Sequence, residues 1–151
     1  MKERSTADRI HSATIGFLRA MRRFDDVAGL SAPRLSILSV LYFAGPMSLG
    51  ALAAREQVTP ATMTRHIQGL EGEGLVERSK TSTDNRVVTL GLTRAGRTRF
   101  EAARKARLEA LEAAVGDLTV EERADLDRAA DLLAALAQHL TQAGPRGPSG
   151  S

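Results

Sequence analysis

The stretch that decides the fold runs from Ser48 to Leu92, SLGALAAREQVTPATMTRHIQGLEGEGLVERSKTSTDNRVVTLGL. It reads as a short helix, a tight turn, a second helix and a two-stranded hairpin. Ser48 is placed to cap the first helix, which runs to Glu56 with Leu49, Leu52 and Ala53 facing inward. Only Gln57 and Val58 separate it from a second helix spanning Thr59 to Glu73. Thr59-Pro60 marks that start twice over. Thr is a good N-cap, and Pro is favoured at the first helical position because its missing N–H would be unpaired there anyway. At about 100° per residue, Met63, Ile67 and Leu70 share a narrow arc, which is the face to bury.

On the opposite arc lie Ala61, Arg65, Gln68 and Gly72, flanked by Thr62 and Gly69. No carboxylate stands among them, since Glu71 and Glu73 are held to the far end. A helix with such a face fits the major groove of B-DNA. Arg65 can fork onto a guanine edge and Gln68 can pair with an adenine edge, while Ala61 or the Thr62 methyl can meet a thymine methyl. The free N–H groups of the first turn suit a phosphate. The plain alternative is a solvated helix face, and the hairpin that follows at once favours the DNA reading.

That hairpin is expected as strands Leu75–Ser79 and Arg86–Leu92, with Lys80 to Asn85 as a polar tip. In the second strand Val88, Leu90 and Leu92 share one side and Val87, Thr89 and Gly91 the other. Arg78, Lys80 and Arg86 surround the projecting loop with positive charge. Asp84 and Arg86 are two residues apart and can share a side, so the carboxylate can hold the guanidinium extended. An extended Arg on a thin loop suits a narrow A·T-rich minor groove. As a mere exposed turn pair it would be worth almost nothing.

Outside this unit the chain reads as helices. Ile10, Phe17, Met21, Phe24 and Ala28 recur at helical steps between Thr6 and Ala28. Ser31 can cap a second, largely apolar helix that carries Leu35, Ile37, Leu38, Val40 and Leu41 toward Gly45-Pro46. Thr93 can cap a long helix with Phe100, Leu108, Leu111 and Val115 on its stripe, ending near Gly116. Thr119-Val120-Glu121-Glu122 fits a capping box, and the helix after it carries Leu126, Leu133 and Leu140 at heptad spacing. The expected fold is mainly α with a small β-hairpin wing, in four parts. These are an N-terminal dimerisation helix over 5–30, a winged helix-turn-helix over 31–93, C-terminal dimerisation helices over 94–142 and a disordered tail over 143–151.

Composition narrows the function classes. The chain of 151 residues suffices for one compact unit, and with 3% aromatics its core must come from Leu, Ala, Val and Ile. With no Cys, disulfides, thiolate metal sites and thiol redox chemistry are excluded. His11, His66 and His139 are scattered, so no metal site is expected. No phosphate loop and no nucleophile–base constellation occurs at motif spacing, which argues against an enzyme and leaves no catalytic residue or cofactor to name. No apolar run is long enough to span a membrane and no leader is expected, so the chain is read as cytoplasmic. Net charge is +3, and its distribution is uneven. Residues 1–44 hold seven Lys/Arg against four Asp/Glu, 45–100 eight against five, and 101–151 six against nine. The basic part therefore contains the motif, as a polyanion partner requires.

Two segments carry a family resemblance: Leu70-Glu71-Gly72-Glu73-Gly74-Leu75-Val76-Glu77-Arg78, and Asp84 through Arg86 to Thr93-Arg94-Ala95-Gly96. With Thr64-Arg65 at the family's usual Thr-Arg position, the chain resembles the MarR family of bacterial regulators. The resemblance implies a homodimer with interleaved first and last helices, binding a palindromic double-stranded operator as a repressor. It also implies release by a small phenolic or anionic effector. Arg65 then belongs to the base-reading helix, and Asp84 and Arg86 to the minor-groove wing. The candidate DNA-facing set is Ser48, Thr59, Pro60, Ala61, Thr62, Thr64, Arg65, Gln68, Arg78, Lys80, Asp84 and Arg86. Phe17, Arg19, Met21, Leu38 and Tyr42 are candidates for an effector cleft, against the simpler reading of core. The competing function is a winged helix used for protein interaction or for nonspecific architectural DNA binding.

Overall fold

The computed structural model describes residues 4–24, 29–81 and 84–143, with the backbone alone at 81, 84–87 and 143. Six helices and one hairpin follow in order: α1 (Thr6–Met21), α2 (Ala32–Ala44), α3 (Leu49–Arg55), α4 (Pro60–Gly72), β1 (Val76–Thr81), β2 (Asp84–Leu92), α5 (Arg94–Gly116) and α6 (Val120–Ala143). Among the described residues no helix is long and apolar enough to cross a membrane. The chain divides into two compact units inside α5, between Glu109 and Ala110.

In the first unit, the core draws on α2 (Leu35, Ile37, Leu38, Leu41), α3 (Leu52, Ala53), α4 (Met63, Ile67, Leu70), the strand bases (Leu75, Val76, Leu90) and α5 (Phe100, Ala103). Each large side chain so enclosed contributes about 1.5–3 kcal/mol relative to exposure. The helix starts are defined by their caps. Ser48 accepts from the Ala51 N–H at 3.2 Å and Thr59 from the Thr62 N–H at 3.2 Å, each satisfying a donor that the helix leaves unpaired.

Several boundaries differ from the sequence reading. The first helix ends at Met21 and passes into one tighter turn, Arg22–Phe24, rather than continuing to Ala28; residues 25–28 lie outside the described set. The sequence changes there from Arg22-Arg23 to Asp25-Asp26, and carboxylates at a helix C-terminus oppose the macrodipole. Ser31 stands at the α2 N-cap without a side-chain capping bond, and the helix start is set by a proline in its first turn.

The hairpin is longer than expected. Its strands pair antiparallel from Val76↔Leu92 to Lys80↔Val88, then shift register to Thr81↔Asp84. Polar residues assigned to the tip therefore extend the ladder, because a solvent-facing strand pair needs no apolar side chains. Leu90 is buried while Val88, nearer the tip, is exposed, so the shared apolar side is anchored only at its base. Met47 forms a single antiparallel bridge to the hairpin: its N–H donates to the Leu90 carbonyl at 3.1 Å and the Leu90 N–H donates to the Met47 carbonyl at 2.8 Å.

In the second unit, the Thr119 N–H donates to Glu122 Oε2 at 2.9 Å and the Glu122 N–H donates to Thr119 Oγ1 at 3.2 Å. This is the reciprocal capping box that the sequence pattern implies. The Thr119 backbone N–H, then its hydroxyl, hold the Glu122 carboxyl below its usual range. Along α6, Leu126, Leu132, Leu133, Leu136 and Leu140 are all exposed. Of the tail 143–151 expected to be disordered, Ala143 is the last residue of α6, and residues 144–151 lie outside the described set.

Candidate nucleic-acid interface

Helix α4 meets the core through Met63, Ile67 and Leu70, all at 0% exposure, which fixes what its other side presents. Ala61, Arg65 and Gln68 are exposed on that side, with Thr62 and Thr64 half-buried beside them. Among the described residues no ion pair engages Arg65. The Thr59 hydroxyl donates to Thr62 Oγ1 at 3.0 Å, so the Thr62 proton remains available for an outside acceptor. The Thr64 hydroxyl turns inward instead, donating to the Pro60 carbonyl at 2.8 Å. Pro60 itself is exposed in the first turn, next to its cap Thr59, and Ser48 is half-buried at the start of α3.

The two acids at the far end of α4 are occupied. Glu71 accepts from Arg78 Nε at 2.7 Å and, through its second oxygen, from an Arg78 terminal nitrogen at 3.4 Å, which ties β1 to the helix. Glu73 accepts from Arg34 of α2 at 2.5 Å. Arg78 is thus a cation of the wing with its guanidinium turned onto α4, whereas Lys80 is simply exposed. Neither ion pair is legible in the sequence, because the partners stand on different elements 7 and 39 residues apart.

At the wing base, the Thr93 hydroxyl donates to the Gly74 carbonyl at 2.6 Å and accepts from the Gly96 N–H at 3.0 Å. A Cβ at Gly96 would overlap the Leu75 carbonyl, so glycine is required for α5 to pass this close to the turn before β1. Gly74, at φ +69, supplies the left-handed residue of that turn. Together these contacts fix where the hairpin leaves the body of the unit. The backbone of β2 begins at Asp84, but the Asp84 and Arg86 side chains lie outside the described set, and with them the expected contact between the two.

The five effector candidates are spread over two helices. Phe17 and Arg19 are exposed on α1, whose last residue is the half-buried Met21. Leu38 is enclosed in the core. Tyr42 joins a cluster of rings, 4.8 Å from Phe100 and 5.0 Å from Phe43, with Arg97 over its face at 4.9 Å and its hydroxyl donating to Glu101 at 3.0 Å. An open hollow of about 920 Å³ has other walls: Glu73, Leu75, Arg94, Ala95, Thr98, Arg99 and Ala102. Among the described residues no group of three or more His, Asp or Glu could hold a metal ion.

Known proteins share this arrangement. The MarR family model matches residues 30–88. The chain is 38% identical over 124 residues to the uncharacterized helix-turn-helix transcriptional regulator Mb0904 of Mycobacterium bovis, covering 82% of this chain and 87% of that one. It is 31% identical over 110 residues to the transcriptional repressor MdtR of Bacillus subtilis, covering 73% and 69%. The crystal structure of wild-type MarR from Escherichia coli, in its apo form, superposes with a TM-score of 0.72 over 87% of this chain and 98% of that one, at 20% identity, which shows a common fold. A helix-turn-helix whose outward face is free of carboxylate, followed by a hairpin wing and matched by these relatives, identifies the chain as a member of the MarR family of winged helix-turn-helix transcriptional regulators.

Proposed function

We propose that this regulator is a homodimeric repressor that reads a palindromic operator with α4 in the major groove and the wing in the minor groove. The observation that carries the reading is the outward face of α4, where Arg65 and Gln68 are exposed and Arg65 is unpaired among the described residues. An Arg held by a neighbouring acid would have to break that pair to reach a base. Arg65 has no such cost, while the acids nearby are taken by Arg34 and Arg78. Ser48, Thr59, Pro60 and Thr62 bring helix starts and hydroxyls suited to phosphate, and Lys80 adds sequence-independent attraction. Thr64 and Arg78 support this surface from within, through their bonds to Pro60 and Glu71. Asp84 and Arg86 are assigned to the minor groove.

Dimerisation rests on apolar surface left uncovered on helices at both ends of the chain. Ile15, Phe17 and Leu18 are exposed on α1, and the leucines of α6 are exposed along its length. A second copy is the cover we infer for both. The repressor direction draws on the likeness to MdtR. A phenolic or anionic effector, met by Phe17, Arg19, Met21, Leu38 or Tyr42, would act as the releasing signal.

Binding isotherms on the operator and on single-base variants, at several salt concentrations, test the DNA reading. Arg65→Ala should cost about 1–3 kcal/mol on the operator and flatten the preference at one symmetric base position. Arg86→Ala should weaken binding and lower the salt slope while that preference survives. An unchanged base preference in Arg65→Ala removes the helix assignment, and an unchanged salt slope in Arg86→Ala removes the wing assignment.

A further inference from the structure

The Arg34–Glu73 pair is placed where local helix electrostatics disfavour both partners. Arg34 stands in the first turn of α2, at the positive end of that helix, and Glu73 is the C-cap of α4, at the negative end. Half-exposed ion pairs contribute little to stability, so folding energy does not account for the arrangement. Yet the sequence makes room for it. The Arg34 guanidinium lies against Gly69, where an added Cβ would overlap its terminal nitrogen, and the Arg34 side chain is only 23% exposed. A glycine inside a helix costs about 0.5–1 kcal/mol relative to alanine, so this slot is kept against the helix's own preference.

Glu71 and Glu73 are two residues apart, about 200° around the axis of α4. Their partners accordingly pull from different sides, Arg78 from the wing and Arg34 from α2. Two restraints so opposed add to the apolar contacts of Met63, Ile67 and Leu70 in resisting rotation of the helix about its own axis. Rotation is the motion that would swing Arg65 and Gln68 off the base edges.

We propose that Arg34, seated on Gly69 and paired with Glu73, is a positioning residue that acts with the Arg78–Glu71 pair as a clamp on the rotational setting of α4, and so sets base selectivity. The proposal rests on the DNA-reading assignment of α4. Its signature is a loss of discrimination between operator and unrelated DNA that exceeds any loss of fold stability.

The test is a double-mutant cycle on the chain of 151 residues, read as operator affinity, affinity for unrelated DNA, and thermal unfolding. Arg34→Ala and Glu73→Gln should each reduce the ratio of operator to unrelated binding by about three- to tenfold. Gly69→Ala should do the same while unfolding at or above the wild-type temperature, because only the end of a flexible side chain must move and alanine favours the helix. In the Arg34→Ala background, Gly69→Ala should have no further effect on selectivity. Arg34→Lys, which keeps the charge without the planar fork, should recover part of the loss. If the Gly69→Ala loss persists undiminished without Arg34, the methyl acts directly at the DNA and the clamp is wrong. An unchanged binding ratio in all single variants also overturns it. Wild-type protein with no preference for any operator would instead overturn the reading of α4 on which the clamp rests.

Discussion

The winged segment and α6 use similar apolar residues to opposite ends. Between Leu30 and Ala103 the large side chains close around one another, and Leu38, Leu52, Met63, Ile67 and Leu70 lose all contact with solvent. Along α6, five leucines of the same size keep more than a third of their surface exposed. The difference comes from geometry rather than composition. Short elements joined by turns can surround a shared centre, whereas a helix of 24 residues presents a stripe that an element of its own length must cover. One region therefore completes itself, and the other leaves its leucines uncovered within the chain, as the proposed dimer requires. The contrast extends to charge, since Arg34 and Arg78 are paired within the winged segment while Arg65 is exposed with no ion pair among the described residues.

The strongest way to break this comparison is to open the self-contained region from within. Gly96→Ala drives a Cβ into the Leu75 backbone, which cannot yield as a side-chain tip can, and should cost roughly 2–4 kcal/mol. Denaturant unfolding should show a lower midpoint with loss of DNA binding. A wild-type midpoint would mean that α5 does not pass so close to the wing turn.

Next in size is the opposite operation on α6. Replacing Leu133 and Leu140 together by Glu should dissociate the proposed dimer, and the winged segment should keep its core because these leucines lie outside it. Sedimentation at micromolar concentration would report a monomer, while amide exchange in α4 stays slow. An undisturbed dimer would show that a different face of the chain makes the contact.

The smallest effect concerns the start of α6. The Glu122 carboxyl is held below its usual value of 4.5 by the Thr119 N–H and hydroxyl, so its charged form is the one the fold favours. The contribution is therefore present above that usual value and is lost as pH falls through the depressed folded value. The protection of the first-turn amides of α6, taken as the exchange rate relative to the intrinsic rate at the same pH, should fall on acidification, and Glu122→Gln, which keeps an acceptor but does not titrate, should remove that pH dependence. A first turn that frays equally at all pH values in the wild type would discount the capping box.

Much of the architecture is written in local chemistry. Thr59-Pro60, Ser48 and the box from Thr119 to Glu122 carry their helix starts in residue type alone, because a cap satisfies neighbouring backbone donors within a few residues. The buried and outward faces of α4 follow from its period, which is why residue spacing alone separates Met63, Ile67 and Leu70 from Arg65 and Gln68. What tertiary structure alone decided are relations between elements distant in the chain. The Met47–Leu90 bridge, the passage of Gly96 over Leu75, and the capture of Arg78 by Glu71 and of Arg34 by Glu73 leave no periodic trace, since no spacing rule links residues on different elements. Sequence could count the cations near the wing, but only folding pairs Arg34 and Arg78 with acids of α4 and its C-cap while Arg65 stays exposed.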